Sequence, residues 1–423
     1  MNKPSRSCAI VLGGTADHAE LCRNLRRRGY ETLLIDYLPD PPARATADRH
    51  LQASALDTDL VLSIARKEGA ALVVAACVDQ ALLTMCIVAE HLGLPAPFGA
   101  ETARNVTSKL RMKRLMLTAG VPTAGYAEVR CVQDVTDMQP QFPLVVKPAD
   151  CNGSLGIRKV DGPEGVEPAV RAALAASRTS TALVESFVPG RELSVDIFIT
   201  SGRAHVLMVT ETHKAAGLRE GFCICRSSHP VALSTTMRAD ISRIAQEIVD
   251  LFKLRDTAML LQVLVDNENI SVIEIGARIA GGSKIHLIKS VTGFDIMSAH
   301  VDAILGHSVQ VDVRDTSSRH ATLTYVYCDP GRVRGIEGMT SLKTDGVVSD
   351  FYLYKPEHSV FDRPPAVSSD RLLGFLCVGE CQGEVLEKEV EVRNRLKVLS
   401  DGGHNLIRWH LSTPSTAAKC PGT

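Results

Sequence analysis

The stretch VIEIGARIAGG, residues 272–282, places a carboxylate, Glu274, inside an apolar strand and follows it with Arg278 and the pair Gly281-Gly282. Burying a carboxylate without a partner is costly, so the strand calls for a cation or a ligand beside it. Just upstream, MLLQVLVDNEN (residues 259–269) is a second apolar run carrying Gln262, and the polar DNEN between the runs predicts a hairpin. Side chains alternate across a strand, so an odd loop puts Gln262 and Glu274 on one face and an even loop separates them. The helix ahead of the hairpin, RADISRIAQEIVDLFKL, repeats Ile241, Ile244, Ala245, Ile248, Val249 and Phe252 at helical spacing.

Three further segments lie upstream of the hairpin. TSKLRMKRLMLTAGVP predicts a helix that carries Lys109 and stops at Gly120 before Pro122. FPLVVKPADCNGSLGIRKV reads as a strand bearing Lys147 and ended by Pro148, then a loop of Asn152, Gly153, Ser154 and Gly156, then another strand. Glycines in a loop offer unhindered backbone N–H groups to phosphate oxygens, and a strand lysine adds a point charge; glycines between strands also make plain hairpins. TALVESFVPGRELSVDIFI is strand, turn and strand, with Glu192, Ser194 and Asp196 on one face; a solvated sheet face would show the same pattern. Two oxygen ligands on a rigid hairpin, facing a lysine and a glycine loop, suit Mg²⁺ bridging nucleotide phosphates, with Arg278 placed to hold a transferring phosphoryl group.

The first hundred residues alternate short apolar runs (CAIVLGG, ETLLIDY, ALVVAAC) with helical segments, the mark of βαβ units on a parallel sheet. Gly13-Gly14-Thr15 with Asp36 beyond it invites a dinucleotide reading, but GxGxxG is absent and a structural Rossmann-like domain is preferred. The chain has 423 residues, more than one ordinary core. A net charge of -1 leaves no basic footprint for nucleic acid. No run reaches the roughly 18 apolar residues of a membrane span, so a cytoplasmic protein is expected. The twelve cysteines are scattered, and the pairs Cys223/Cys225 and Cys377/Cys381 lack zinc-site spacing, so they read as reduced thiols.

Taken in order, TSKLRMKRLMLTAGVP, VVKPADCNGSLGI, LVESFVPGRELSVDIF and LLQVLVDNENISVIEIGARIAGG resemble the ATP-grasp superfamily over about residues 5–310. The nearest flavour is that of the carboxylate-amine ligases, which include L-amino acid ligases, carbamoyl phosphate synthetase and purine-pathway ligases. The resemblance implies an α/β and α+β fold: a Rossmann-like domain over residues 1–105, an ATP-grasp core over 106–310 with a lid at about 120–190, and a small α+β subdomain over 311–412. The tail, 413–423, is expected to be disordered. It implies ATP and Mg²⁺ (or Mn²⁺) as cofactors. Lys109 and Lys147 would contact phosphates and the loop Asn152, Gly153, Ser154, Gly156 would close over them. Glu185 and the backbone near Val188 would meet adenine, and Glu192 the ribose. Gln262 and Glu274 would be metal ligands, and Arg278 with Lys147 would act in catalysis.

One position departs from the family pattern E-x-N-x-R: the chain reads Glu274-Ile275-Gly276-Ala277-Arg278, and glycine has no side-chain oxygen. Water or another acidic residue then has to fill the place, or one of two metals binds weakly. The implied reaction passes through an acyl phosphate, releases ADP and phosphate, and ends in an amide. The alternative is a non-catalytic nucleotide-binding protein acting as sensor or partner subunit. The segment from 210 to 233, with His213, Lys214, Arg219, Glu220 and Arg226, is the expected acceptor side, joined by Ser283 and His286. Small carboxylate and amine substrates are the expected partners, with a carrier-bound acceptor and a homodimer as variants.

Overall fold

The computed structural model describes residues 6–151, 153–215, 222–314 and 319–412. Asn152, Arg219, Glu220 and the tail 413–423 therefore lie outside the described residues.

The N-terminal runs form a four-stranded parallel sheet in the order Arg49–Gln52, Glu31–Asp36, Cys8–Leu12, Leu72–Ala75. Every residue of Cys8–Leu12 is buried, as expected of a parallel strand covered on both faces by its crossover helices. Asp36 explains the glycine turn without a dinucleotide: its Oδ2 accepts the Gly14 N–H at 2.7 Å and its Oδ1 the Leu38 N–H at 2.8 Å.

A second, small antiparallel sheet runs Tyr126–Val129, Ala182–Ser186, Leu144–Pro148, Arg158–Val160. It has its own core, in which Val129, Leu144, Val146 and Val160 meet Val170 and Ala173 of the helix Val166–Ala176.

The main sheet has eight antiparallel strands in the order Asn269–Gly276, Thr257–Asp266, Arg191–Thr200, Arg203–Lys214, Ile224–His229, His320–Val326, Leu373–Gly379, Asp350–Leu353. The segment expected to form the acceptor side supplies two of its strands. The region after residue 311 joins the same sheet through the pairing of Ile224–His229 with His320–Val326, so hydrogen bonding is continuous across that point of the chain. The helix Thr235–Phe252 is capped by the Ser234 hydroxyl, which accepts the Met237 N–H. Its predicted apolar stripe, Ile241 to Phe252, is buried against the sheet. Together these elements form the mixed α/β and α+β architecture expected from the sequence. Among the described residues no helix is long and apolar enough to cross a membrane, and the cysteines are unpaired.

Candidate functional site

The hairpin answers the question raised by its sequence. Gln262 and Glu274 are direct cross-strand partners, so both side chains leave the same face. A bulge between Gln262 and Val263 shifts the register immediately afterwards. Such a bulge re-aims side chains where a regular ladder would continue its alternation.

A cavity of about 1320 Å³ opens over this face and is lined by Lys109, Lys147, Glu185, Gln262, Glu274 and Arg278, among others. Lys109, the first residue of the helix Lys109–Thr118, forms an ion pair with Glu274 Oε2. Against the cost of burial, Lys109 and Lys147 hold the Glu274 carboxyl down at about 2, so it is ionised at neutral pH. Against the same cost, Glu274 raises the Lys109 ammonium above its ordinary value. On the small sheet, Lys147 Nζ lies 2.7 Å from Glu185 Oε1 and Lys113 Nζ lies 3.3 Å from the same oxygen. Burial lowers Lys113 to about 8, with Glu185 resisting. Glu192 lies 2.9 Å from Lys214 Nζ and accepts from Gln262 Nε2 at 3.4 Å. The cavity wall is thus a chain of alternating charges running from one sheet to the other.

Asp79 stands at the position left open by Gly276. A Cβ built on Gly276 would lie 2.9 Å from Asp79 Oδ1, and Asp79 Oδ2 is 2.5 Å from Arg278 Nη2. Arg278 is further fixed by donating to the Ile279 carbonyl at 3.0 Å. The carboxylate beside Gly276 thus comes from the first turn of the helix Asp79–Leu92 and is paired with Arg278. Nothing in the local sequence CVDQALL marks it; the only signal was the missing side chain at 276.

The glycine loop lies against the main body. Ser154 Oγ donates to the Phe222 carbonyl at 2.9 Å, and the Gly153 carbonyl accepts the Ser368 N–H at 3.3 Å. Gly156 sits at φ +71, and a Cβ there would be 2.9 Å from the Pro148 ring, so the turn needs glycine on both counts. Val188 and Glu192 line the cavity, whereas Gly156 does not.

Of the expected acceptor-side residues, His213 lines the cavity, with Nε2 2.8 Å from Ser228 Oγ; burial and then Arg226 lower its pKa. Arg226 turns away to Glu389, 3.0 Å distant, and does not line the cavity. His286 stacks on Tyr352 with centroids 4.5 Å apart at 15° and is likewise outside the lining. Ser283 is 1% exposed; its N–H reaches Asp17 Oδ2 at 3.2 Å and its Oγ accepts from Tyr354 at 3.0 Å. In both Arg226 and His286 a neighbour inside the fold has already taken up the functional end. Lys284, not singled out in the sequence, is buried against Asp196 at 3.0 Å and Thr210 at 2.5 Å.

The donor chemistry fits a hard divalent cation, because the ionised Glu274 and the amide Gln262 are oxygen ligands paired across a rigid hairpin. Among the described residues no group of three His, Cys, Asp or Glu side chains gathers as a metal site, so other oxygens would have to complete the shell.

Comparison with known proteins agrees with this geometry. Residues 140–286 match the model of the ATP-grasp domain. The chain is 22% identical over 332 residues to an L-arginine-specific L-amino acid ligase of Bacillus subtilis, covering 76% of each chain. It is 29% identical over 193 residues to a formate-dependent phosphoribosylglycinamide formyltransferase of Mycolicibacterium vanbaalenii, covering 44% of this chain and 48% of that one. With several of the curated relatives, then, the match spans about half of the relative's length. The crystal structure of an L-amino acid ligase from Bacillus licheniformis superposes with a TM-score of 0.78 at 19% identity, over 95% of this chain and 100% of that one. Residues 140–286 thus match the ATP-grasp domain on the two sheets that face the cavity, and the fold of the L-amino acid ligase structure is shared over nearly the whole chain.

Proposed function

We propose that the protein is an ATP-dependent carboxylate-amine ligase that joins an amino acid or other small carboxylate to an amine, releasing ADP and phosphate. The observation that carries this reading is the facing of Gln262 and Glu274 on one sheet toward Lys109 and Lys147, with Arg278 beside them. Lys147 and Lys109 would neutralise phosphate oxygens as the nucleotide enters, leaving Glu185 and Glu274 free for adenine and metal respectively. Gln262 and Glu274 would hold Mg²⁺, which when bound would neutralise charge on the nucleotide phosphates. Arg278, its guanidinium oriented by Asp79, would hold the charge that develops on the transferring phosphoryl group. The substrate carboxylate attacks the γ-phosphorus and ADP leaves; the amine nitrogen then attacks the acyl carbon, loses a proton and expels inorganic phosphate. The contribution of the chain is positioning and charge, as phosphoryl transfer requires.

The test is product analysis with Mg-ATP and pooled amino acids and small carboxylates. ADP and phosphate that depend on the pool support the ligase, and Lys147→Ala and Glu274→Ala are expected to abolish them while circular dichroism stays native. AMP with pyrophosphate, or near-normal turnover in either variant, would overturn the reading. Nucleotide binding with intact ATP in every pool would favour the non-catalytic sensor.

A further inference from the structure

The tip of the glycine loop, residues 153–156, belongs to the small sheet but is fastened to other parts of the molecule. Ser154 Oγ donates to the Phe222 carbonyl at 2.9 Å, and the Gly153 carbonyl accepts the Ser368 N–H at 3.3 Å. Leu155, the one apolar side chain at the tip, is 46% exposed, so hydrogen bonds rather than packing hold the tip in place. A single neutral hydrogen bond shifts an equilibrium only about twofold to tenfold, so each donor at the tip counts.

The partner that the loop meets at Ser368 is rigid. Ser368 is 2% exposed and opens the short helical turn Ser368–Asp370, whose Asp370 carboxylate accepts the Ala366 and Val367 N–H groups at 2.8 and 3.1 Å. The Ser368 hydroxyl accepts the Ile224 N–H at 3.0 Å, and beyond the turn the Leu372 N–H donates to the Val326 carbonyl at 2.9 Å. Both anchors lie on neighbouring strands of the main sheet, Ile224–His229 and His320–Val326. Gly153 and Ser154 line the cavity on one side of this contact, and Ser368 and Arg371 on the other.

We propose that Ser368 is a positioning residue: its backbone N–H latches the glycine loop onto the turn and so ties the loop to the cavity wall that carries Arg371. A ligand that orders the turn then favours the docked loop, and a ligand beneath the loop favours the ordered turn, because linked equilibria are reciprocal. That the ligand beneath the loop is a nucleotide rests on the ligase reading; the docking of the loop on the turn does not.

The experiment is hydrogen exchange on the full chain, with and without Mg²⁺ and a non-hydrolysable ATP analogue, in wild type, Ser368→Ala and Ser368→Pro. Alanine removes only the hydroxyl that accepts from Ile224, whereas proline also removes the N–H given to Gly153. Proline fits the position, because Ser368 is the first residue of a helical turn and Val367 before it is extended, at φ -134 and ψ 160. Compared with Ser368→Ala, Ser368→Pro should speed exchange over residues 153–157 in the absence of the analogue and leave Leu373–Gly379 unchanged. It should also raise the dissociation constant of the analogue by about twofold to tenfold, as expected for one hydrogen bond. Ser154→Ala, which leaves the turn intact, reads the latch from the other side: with the tip loosened, exchange should quicken over residues 366–369. Equal exchange and equal affinity in Ser368→Ala and Ser368→Pro would overturn the latch. So would acceleration that spreads along Leu373–Gly379, the mark of a general defect, together with unchanged exchange at 366–369 in Ser154→Ala. A wild type that does not bind the analogue would instead sink the ligase reading, and exchange without ligand would still decide the latch.

Discussion

Glycine at position 276 leaves a gap only if nothing else enters it, and here the Asp79 carboxylate does. The two residues are then alternatives for one volume. Gly276→Asn, which restores the usual family residue, has to displace Asp79 and loosen Arg278; Asp79→Ala alone leaves a buried arginine without its carboxylate. Each single variant is expected to lower kcat/KM by tenfold or more, on the order of 1.5–3 kcal/mol for a lost charged hydrogen bond. The double variant is expected to recover part of that loss, with a coupling of about 0.5–3 kcal/mol as found for residues in contact. Measured rates of ADP release that simply add would show that the residues do not share the space. This pair also marks the limit of what the sequence disclosed. Gln262, Glu274 and Lys147 are legible because strand alternation puts them on a face and because each is an ionic or polar group in an apolar run. Asp79 meets Arg278 across 199 residues and stands in an ordinary helix start, so no local pattern reveals it.

Elements were legible where one period ruled a whole segment. The helix Thr235–Phe252 and the run Thr257–Asp266 follow their patterns, the helix burying its apolar stripe and the strand a nearly continuous apolar run. The reach of the main sheet was not legible, because His320–Val326 joins Ile224–His229 through pairings that are invisible to a window of a dozen residues. The small sheet behaves differently: it buries Leu144, Val146 and Val170 in a core of its own rather than in the main one. A defect there should therefore stay there. Leu144→Ala is expected to cost about 2–5 kcal/mol, the range for a buried leucine. Hydrogen exchange should quicken at Tyr126–Val129, Leu144–Pro148 and Ala182–Ser186 and remain unchanged along Thr257–Asp266. Because Lys147 and Glu185 ride on those strands, the apparent affinity for the nucleotide analogue should fall as well. Equal loss of protection in both sheets would mean that they unfold as one unit.

The first sheet shares its apolar core with the main sheet, and long-range polar contacts tie it to the rest of the molecule as well. Arg28 lies 2.7 Å from Asp302, Arg278 holds Asp79, and His300 Nε2 approaches the Ala75 carbonyl at 3.4 Å. His18, beneath the Gly13 turn, has its Nδ1 2.7 Å from Thr15 Oγ1. Burial lowers both histidines from 6.5 to about 4, so the folded protein holds them neutral where the unfolded chain would protonate them. The stability they contribute is therefore complete above pH 6.5 and is lost as the pH falls from 6.5 toward 4. On the linkage relation the loss is on the order of 3 kcal/mol for each histidine. Asp17 acts in the opposite sense: burial raises it from 3.8 to about 6, so protonation between those values favours the folded state and offsets part of the loss. Tm measured without ligand should then fall steadily between pH 6.5 and pH 4. His300→Gln, which cannot take up the proton, should flatten that slope, and Asp17→Asn, which removes the compensating group, should steepen it. If the His300→Gln profile runs parallel to wild type, acid acts elsewhere, and the seam between the first sheet and the main body is not where the molecule yields.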